Sequence, residues 1–334
     1  MLTPDAVRAH LDNLTKPPGS LGRLEDLAAR LALIQQTLRP ATEPRKLVLF
    51  AADHGVVAEG VTAWPLSVTT LMVANMLAGG AASCVLARQT RTAMTVVDVG
   101  TAGESGEPRP DYRVEKAGRG THNLYREAAM TVAEFEQAVA IGRAQAAGNY
   151  AAVAAGEMGI GNTTAAACLT ALLTGADTDD CVGRGAGADD AILERKRHVI
   201  RVATTRARAV FAASPVAGIA EVCGFEIAAM AGFYLQAAED RRTVVLDGSI
   251  AAAAALIAER LRPGTVNSMI AAHRSAEPGH TVALNALGLT PLLDGWGMRL
   301  GEGTGALLAM PLLDAAAAIL TEMATFQKAG IGGP

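Results

Sequence analysis

Lys46-Leu47-Val48-Leu49-Phe50-Ala51-Ala52-Asp53-His54-Gly55 decides the fold. A short apolar run stops abruptly at polar residues and glycine, and the pattern recurs along the chain. Residues 94–97 lead into Asp98-Val99-Gly100, residues 243–246 into Asp247-Gly248-Ser249, and residues 266–272 into His273-Arg274-Ser275. Continuous apolar runs separated by helical stretches are what a parallel sheet covered on both faces requires. The expected fold is therefore α/β, a parallel Rossmann-like sheet flanked by helices. Ligands of such sheets bind beyond the carboxyl ends of the strands. The polar residues collect at those ends, so one cleft is expected to gather them.

The two ends of the chain read differently. Residues 1–40 read as helix around the loop Lys16-Pro17-Pro18-Gly19-Ser20-Leu21-Gly22-Arg23-Leu24-Glu25, and residues 306–326 are apolar at helical spacing, with Pro311 marking a start or a kink. Neither end carries a strand pattern. Residues 1–40 plus 306–334 are expected to pack as a small helical domain, leaving 41–305 as the large α/β catalytic domain. Residues 103–112, rich in Gly, Pro and charge, read as an exposed loop.

Composition narrows the function. With 50% hydrophobic and 19% charged residues in a chain of 334, this is a folded globular protein with a large core. A net charge of -4 and no basic run argue against nucleic acid as a partner. The most apolar windows are interrupted by Glu221 and Glu226, or by Asp247 and Glu259, so no membrane span or membrane partner is expected. Met1-Leu2-Thr3-Pro4-Asp5 has no signal-peptide pattern, and Cys84, Cys168, Cys181 and Cys223 lie far apart in apolar surroundings. They read as buried thiols of a cytoplasmic protein.

The chemistry concentrates in a few motifs. Arg299-Leu300-Gly301-Glu302-Gly303-Thr304-Gly305-Ala306 seats one carboxylate among three glycines just ahead of an apolar helix. Glycine lets a ligand approach the main chain, and a carboxylate standing beside that ligand can accept a proton, so Glu302 is the candidate general base. The bland alternative is a solvated glutamate in a loop. Gly156-Glu157-Met158-Gly159-Ile160-Gly161-Asn162-Thr163-Thr164 precedes an apolar helix pattern. Glycines at a helix start expose amides to an anion, which makes Gly159, Gly161, Asn162 and Thr163 a candidate phosphate cradle, with Asn162 or Thr163 capping the helix. An ordinary strand-to-helix turn is the alternative. It is neither a P-loop nor a full dinucleotide fingerprint. Gly183-Arg184-Gly185-Ala186-Gly187 is a second close-approach turn, and Lys196 sits in a basic stretch that by default is a solvated helix face. Asp53-His54 lacks partners at ligand spacing, so no metal is expected. His273 and Ser275 lack a Gly-x-Ser-x-Gly elbow, which argues against a nucleophilic hydrolase. Residues 64–83 read as a helix after Pro65, its apolar side either core or a wall for a flat ligand.

Taken in order, these motifs resemble the nicotinate-nucleotide–dimethylbenzimidazole phosphoribosyltransferase family of cobalamin lower-ligand synthesis. The matching runs lie at 16–25, Ala-Asp-His-Gly-Val at 52–56, Pro-x-x-Val-Thr at 65–69, the glycine motif at 156–164, His-x-Ser-Ala-Glu at 273–277 and the glutamate motif at 299–306. The resemblance implies transfer of 5-phosphoribosyl from nicotinate mononucleotide to a benzimidazole nitrogen, without a cofactor, by a homodimer with a small helical domain. It places the general base on Glu302, phosphate contacts on Gly159, Gly185 and Ser275, and charged residues of the same pocket on Glu157 and Lys196. Trp64, Val68, Met72 and Leu300 would wall the base pocket. There the chain departs from the family, in which a serine and a glutamine stand where this sequence has Trp64 and Met72. Two other readings use the same residues: ribosyl transfer or hydrolysis on another base, or a non-catalytic nucleotide-binding regulator. Only the catalytic readings need Glu302 as a base.

Overall fold

A computed structural model describes residues 1–332. Among these, six strands form one parallel sheet: β1 (Arg45–Ala52), β2 (Thr92–Gly100), β3 (Tyr112–Val114), β4 (Ala152–Met158), β5 (Thr243–Leu246) and β6 (Met269–Ala271). Their order is β3-β2-β1-β4-β5-β6. The chain builds outward from β1 to one side and then from β4 to the other, so the strand order reverses between those two. That junction is where a doubly wound sheet opens a crevice at its carboxyl edge. β1 ends at Asp53-His54 there, and β4 delivers Glu157 and Met158.

Alternation along β1 assigns its two faces. Val48, Phe50 and Ala52 enter one core with helices Val132–Gln145, Asn162–Thr174, Phe225–Glu239 and Ser249–Leu261. Leu47 faces the terminal helices Pro4–Asp12, Arg23–Gln35 and Thr304–Glu322, while Leu49 and Ala51 meet helices Ser67–Leu77 and Ala82–Gln89. The helices of both termini pack together over one face of the sheet. Main-chain bonds tie the ends: Phe326 N donates to Asn13 O at 3.1 Å and Thr15 N to Ala324 O at 3.0 Å. Positions 333 and 334 of the expected helical domain lie outside the described residues.

Four expectations need correction. Gly156, Glu157 and Met158 belong to β4, so the first three residues of the glycine motif are strand, and only Gly159–Gly161 form the turn. Residues 266–268 form a 3₁₀ turn, and β6 begins only at Met269. Pro311 does not start a helix; it lies inside Thr304–Glu322, on its exposed side. Two stretches, Ser67–Gln89 and Thr304–Glu322, are long and apolar enough to span a membrane by composition. The first is broken at Gly79-Gly80 into two helices, and the second buries its face against the sheet core.

Alanine and glycine let the helices approach closely. A side chain on Gly142 would run into the carbonyl of Ala229, and one on Gly232 into the carbonyl of Val139. Gly142→Val should therefore lower the unfolding free energy in urea by about 3 kcal/mol, the upper end of overpacking costs. Gly332→Ala, where the added methyl meets nothing, should leave it unchanged.

Candidate active site

A cavity of about 450 Å³ opens at the carboxyl ends of β4, β5 and β6. Five segments converge on it: the β4 end with the following turn, residues 247–251 after β5, the loop 183–187, the segment beyond β6, and the glutamate motif before helix Thr304–Glu322. Trp64, Val68, Met72 and Leu300 are apolar residues of its wall, and Leu300 is 60% exposed.

Glu302 is not a solvated loop residue. Only 4% of it is exposed, and its Oε2 accepts from Ser83 Oγ at 3.1 Å and more weakly from Ser83 N at 3.4 Å. Its φ of +60° lies in the left-handed region, between Gly301 at +85° and Gly303 at +78°. A non-glycine residue there costs ~1–3 kcal/mol, so the surroundings must impose the conformation. One constraint lies directly underneath. A Cβ on Gly156 of β4 would come within 2.6 Å of the Glu302 carbonyl carbon, so only glycine lets the turn settle on the strand. Burial raises the pKa of the Glu302 carboxyl and the Asp247 charge adds to this, while the Ser83 bonds pull it down. The outcome is a carboxylate more basic than usual.

Glu157 reaches the same cavity from β4. Its Oε2 accepts from Asn162 Nδ2, and its Oε1 lies against the Cα of Gly301. Burial, reinforced by the charges of Glu226 and Asp247, pushes its pKa up to about 8. At neutral pH Glu157 is therefore mainly the protonated acid.

The expected caps do other work. Helix Asn162–Thr174 has Gly161 at its N-cap with φ +97° and no side-chain cap. Asn162 is spent on Glu157, and Thr163 Oγ1 accepts from Lys196 Nζ at 2.8 Å. Lys196 is no solvated helix residue. It is 1% exposed, its ammonium also donates to Gly183 O at 3.0 Å, and burial lowers its pKa to about 8 against the opposing charge of Glu277. Gly185 N donates to Glu277 Oε1 at 2.9 Å, and Arg299 Nη1 donates to Gly185 O at 2.9 Å, so loop 183–187 is pinned from both sides. Gly159 lines the cavity, yet its missing side chain is demanded from below: a Cβ would meet Ala52 O and the buried His54–Glu226 pair. That pair is joined at 2.7 Å with neither residue exposed. Gly161 and Lys196 stand behind the wall, whereas the other singled-out residues, Ser275 among them, line the cavity.

Sequence reading missed Ser83, Met158, Asp247 and Arg299 as parts of this site. Asp247 was visible only as a polar strand end, and Ser83 only as one residue of a small-residue run. Asp247 closes β5, is 4% exposed, and accepts from three backbone amides at the start of helix Thr304–Glu322. Ser275 N donates to His280 Nδ1 at 2.8 Å, so that imidazole is a neutral acceptor. Burial and the neighbouring His273 and Arg274 charges hold the His280 pKa down at about 3 against an ordinary 6.5. Stability from this depressed pKa is complete above pH 6.5 and is lost as pH falls toward 3, because only the unfolded chain takes the proton. Between pH 7 and 5, His280→Gln should lose less unfolding free energy than the parent, by at most about 2 kcal/mol, in urea titrations at each pH.

The chain matches the phosphoribosyltransferase family over residues 3–331. It is 49% identical to the nicotinate-nucleotide–dimethylbenzimidazole phosphoribosyltransferase of Chromobacterium violaceum, over 98% of this chain and 96% of that one. Identity to the enzyme of the same name from Thermus thermophilus is 48%, over 97% and 96%. The crystal structure of CobT from Thermus thermophilus superposes with a TM-score of 0.94 at 47% identity, covering 99% of each chain.

Proposed function

The chain belongs to the nicotinate-nucleotide–dimethylbenzimidazole phosphoribosyltransferase family, and we propose that it moves 5-phosphoribosyl from nicotinate mononucleotide to 5,6-dimethylbenzimidazole. The products are α-ribazole 5'-phosphate and nicotinate, an activity of cobalamin synthesis. The observation that carries the reading is Glu302, a buried carboxylate of raised pKa at the cavity, held in a turn that costs free energy to maintain. A non-catalytic regulator has no use for that arrangement.

A benzimidazole nitrogen attacks the anomeric carbon from the face opposite nicotinate, and the configuration inverts. The carbon–nitrogen bond to nicotinate breaks, with its electron pair leaving on the ring nitrogen, so the leaving group needs no proton. Attack leaves the new benzimidazole ring with an excess proton on its other nitrogen, which Glu302 removes. Positive charge grows at the ribose as nicotinate departs, and a cation there favours ionisation of Glu157. We assign the phosphate to Gly159, Gly185 and Ser275 with Asn162 and Thr163, where it would replace the bonds of Gly185 N to Glu277 and of Asn162 to Glu157; behind them Gly161 shapes the turn and Lys196 supplies positive charge. Remote phosphate binding fixes the ribose for attack. Trp64, Val68, Met72 and Leu300 wall the acceptor base. We take residues 1–40 with 306–334 as a small helical domain, 41–305 as the catalytic domain, and the enzyme as a cytoplasmic homodimer, on the family resemblance.

Incubation with nicotinate mononucleotide and dimethylbenzimidazole should release nicotinate. Glu302→Gln should fold normally and be slower by roughly 10²–10⁴-fold. In the parent, kcat/KM should fall on the acid side as pH drops through the raised Glu302 pKa. Near-parental turnover of the variant across pH would remove Glu302 as the base.

The acceptor pocket offers little polar readout. The indole N–H of Trp64 is occupied, donating to Ala186 O at 3.0 Å, and Met72 offers only a thioether. An apolar pocket discriminates by roughly 1–3 kcal/mol per methylene. In competition assays dimethylbenzimidazole should win only modestly over unsubstituted benzimidazole, and adenine, with polar edges buried unpaired, should be far poorer. Efficient adenine ribosylation would show polar readout that this pocket lacks.

A further inference from the structure

Asp247 is a buried carboxylate in the cavity wall with no part in the chemistry above. Its Oδ1 accepts from Gly305 N at 2.7 Å and Ala306 N at 3.3 Å, and its Oδ2 from Gly303 N at 3.1 Å. These amides open helix Thr304–Glu322, which has no side-chain cap of its own. The capping acid comes instead from the end of β5, 56 to 59 residues earlier in the chain. Charge-assisted bonds and the helix dipole both favour a carboxylate there. The fit is close on every side. A side chain on Gly305 would strike His273 and Asp247, and His273 Nε2 lies 3.5 Å from Asp247 Oδ1. The clamped amides begin one residue after Glu302. Ser83 fixes only the tip of the Glu302 side chain, and Gly156 supports the turn from beneath. Neither grips the backbone as it leaves the left-handed run.

We propose that Asp247 is a positioning residue for Glu302: by gripping the amides of Gly303, Gly305 and Ala306 it fixes the left-handed turn that aims the base into the cavity. This rests on the reading of Glu302 as the base. Asp247 also contributes charge. The groups around the Glu302 carboxyl are Ser83 from helix Ala82–Gln89, Glu157 from β4 and Asp247 from β5. Behind them, His273 beyond β6 meets Asp247, and Glu226 acts on Glu157 from helix Phe225–Glu239. Losing the Asp247 charge lowers the pKa of Glu302, so the base stays ionised to lower pH.

The test is Asp247→Asn, assayed by nicotinate release. Its kcat should fall roughly 10–100-fold, the scale of a misplaced catalytic group, with KM for nicotinate mononucleotide within about threefold. The acid limb of its pH profile should move to lower pH. In a Glu302→Gln background the substitution should cause no further loss, because the residue it positions is already disabled. A loss that tracks the folded fraction, leaves the limb in place and adds to that of Glu302→Gln would overturn the proposal. Asp247→Glu keeps charge and acceptor but changes reach; it should lose kcat while the limb stays put, and parental kcat would count against the clamp. Hydrogen exchange on the parent protein needs no variant: amides 303, 305 and 306 should exchange as slowly as the helix interior, and fast exchange would refute the grip. A parent that releases no nicotinate would sink the functional reading instead, with the exchange result standing apart.

Discussion

The turn bearing Glu302 rests directly on the backbone of β4, and the arrangement of the site follows from that contact. Gly156 lies within a strand, where glycine is entropically costly and offers no side chain to pack. Any other residue there would meet the Glu302 peptide. A base carried on a loop would ordinarily move with the loop. Here the loop is seated on a central strand of the sheet, which limits how far it can sink toward the sheet.

The cost of the site is concentrated beneath the cavity. Glu226 Oε2, His54 Nδ1 and Tyr234 Oη are buried without hydrogen-bond partners among the described residues. Such groups destabilise a fold. Elsewhere the two faces of the sheet are covered by alanine, valine and leucine at close to zero exposure. Burial raises both carboxyls: the negative charges of Glu226 and Asp247 push Glu157 further, to about 8, while two Ser83 bonds to the Glu302 anion offset part of its rise. Two carboxyl groups of one cavity are thus given different protonation behaviour by their surroundings.

The fold was largely legible because burial on both faces leaves a direct mark on strand composition. β1, β2 and β5 sit where their apolar runs are. β3 escaped because Tyr112–Val114 has three residues and follows a polar loop, so no periodicity can register. The candidate base and the glycine motif were legible because glycine clustering has few other uses. The partners were not. Ser83 and Asp247 meet Glu302 and its turn across 219 and 56 residues of sequence respectively, and no local pattern encodes such meetings. Lys196 was misleading in the opposite way. It lies in Glu194-Arg195-Lys196-Arg197-His198, yet the helix turns that one ammonium inward to Thr163 and Gly183.

The meeting of the two termini over one sheet face ties the Glu302 turn to the far end of the chain. Helix Thr304–Glu322 holds the Glu302 turn at its start and packs on Arg23–Gln35, among the first segments made. Pairings between the two ends of a chain close the longest loops and form late. Leu47, Ala152 and Ala154 of the sheet are buried by those same helices. The turn bearing Glu302 therefore depends on packing between segments at opposite ends of the sequence.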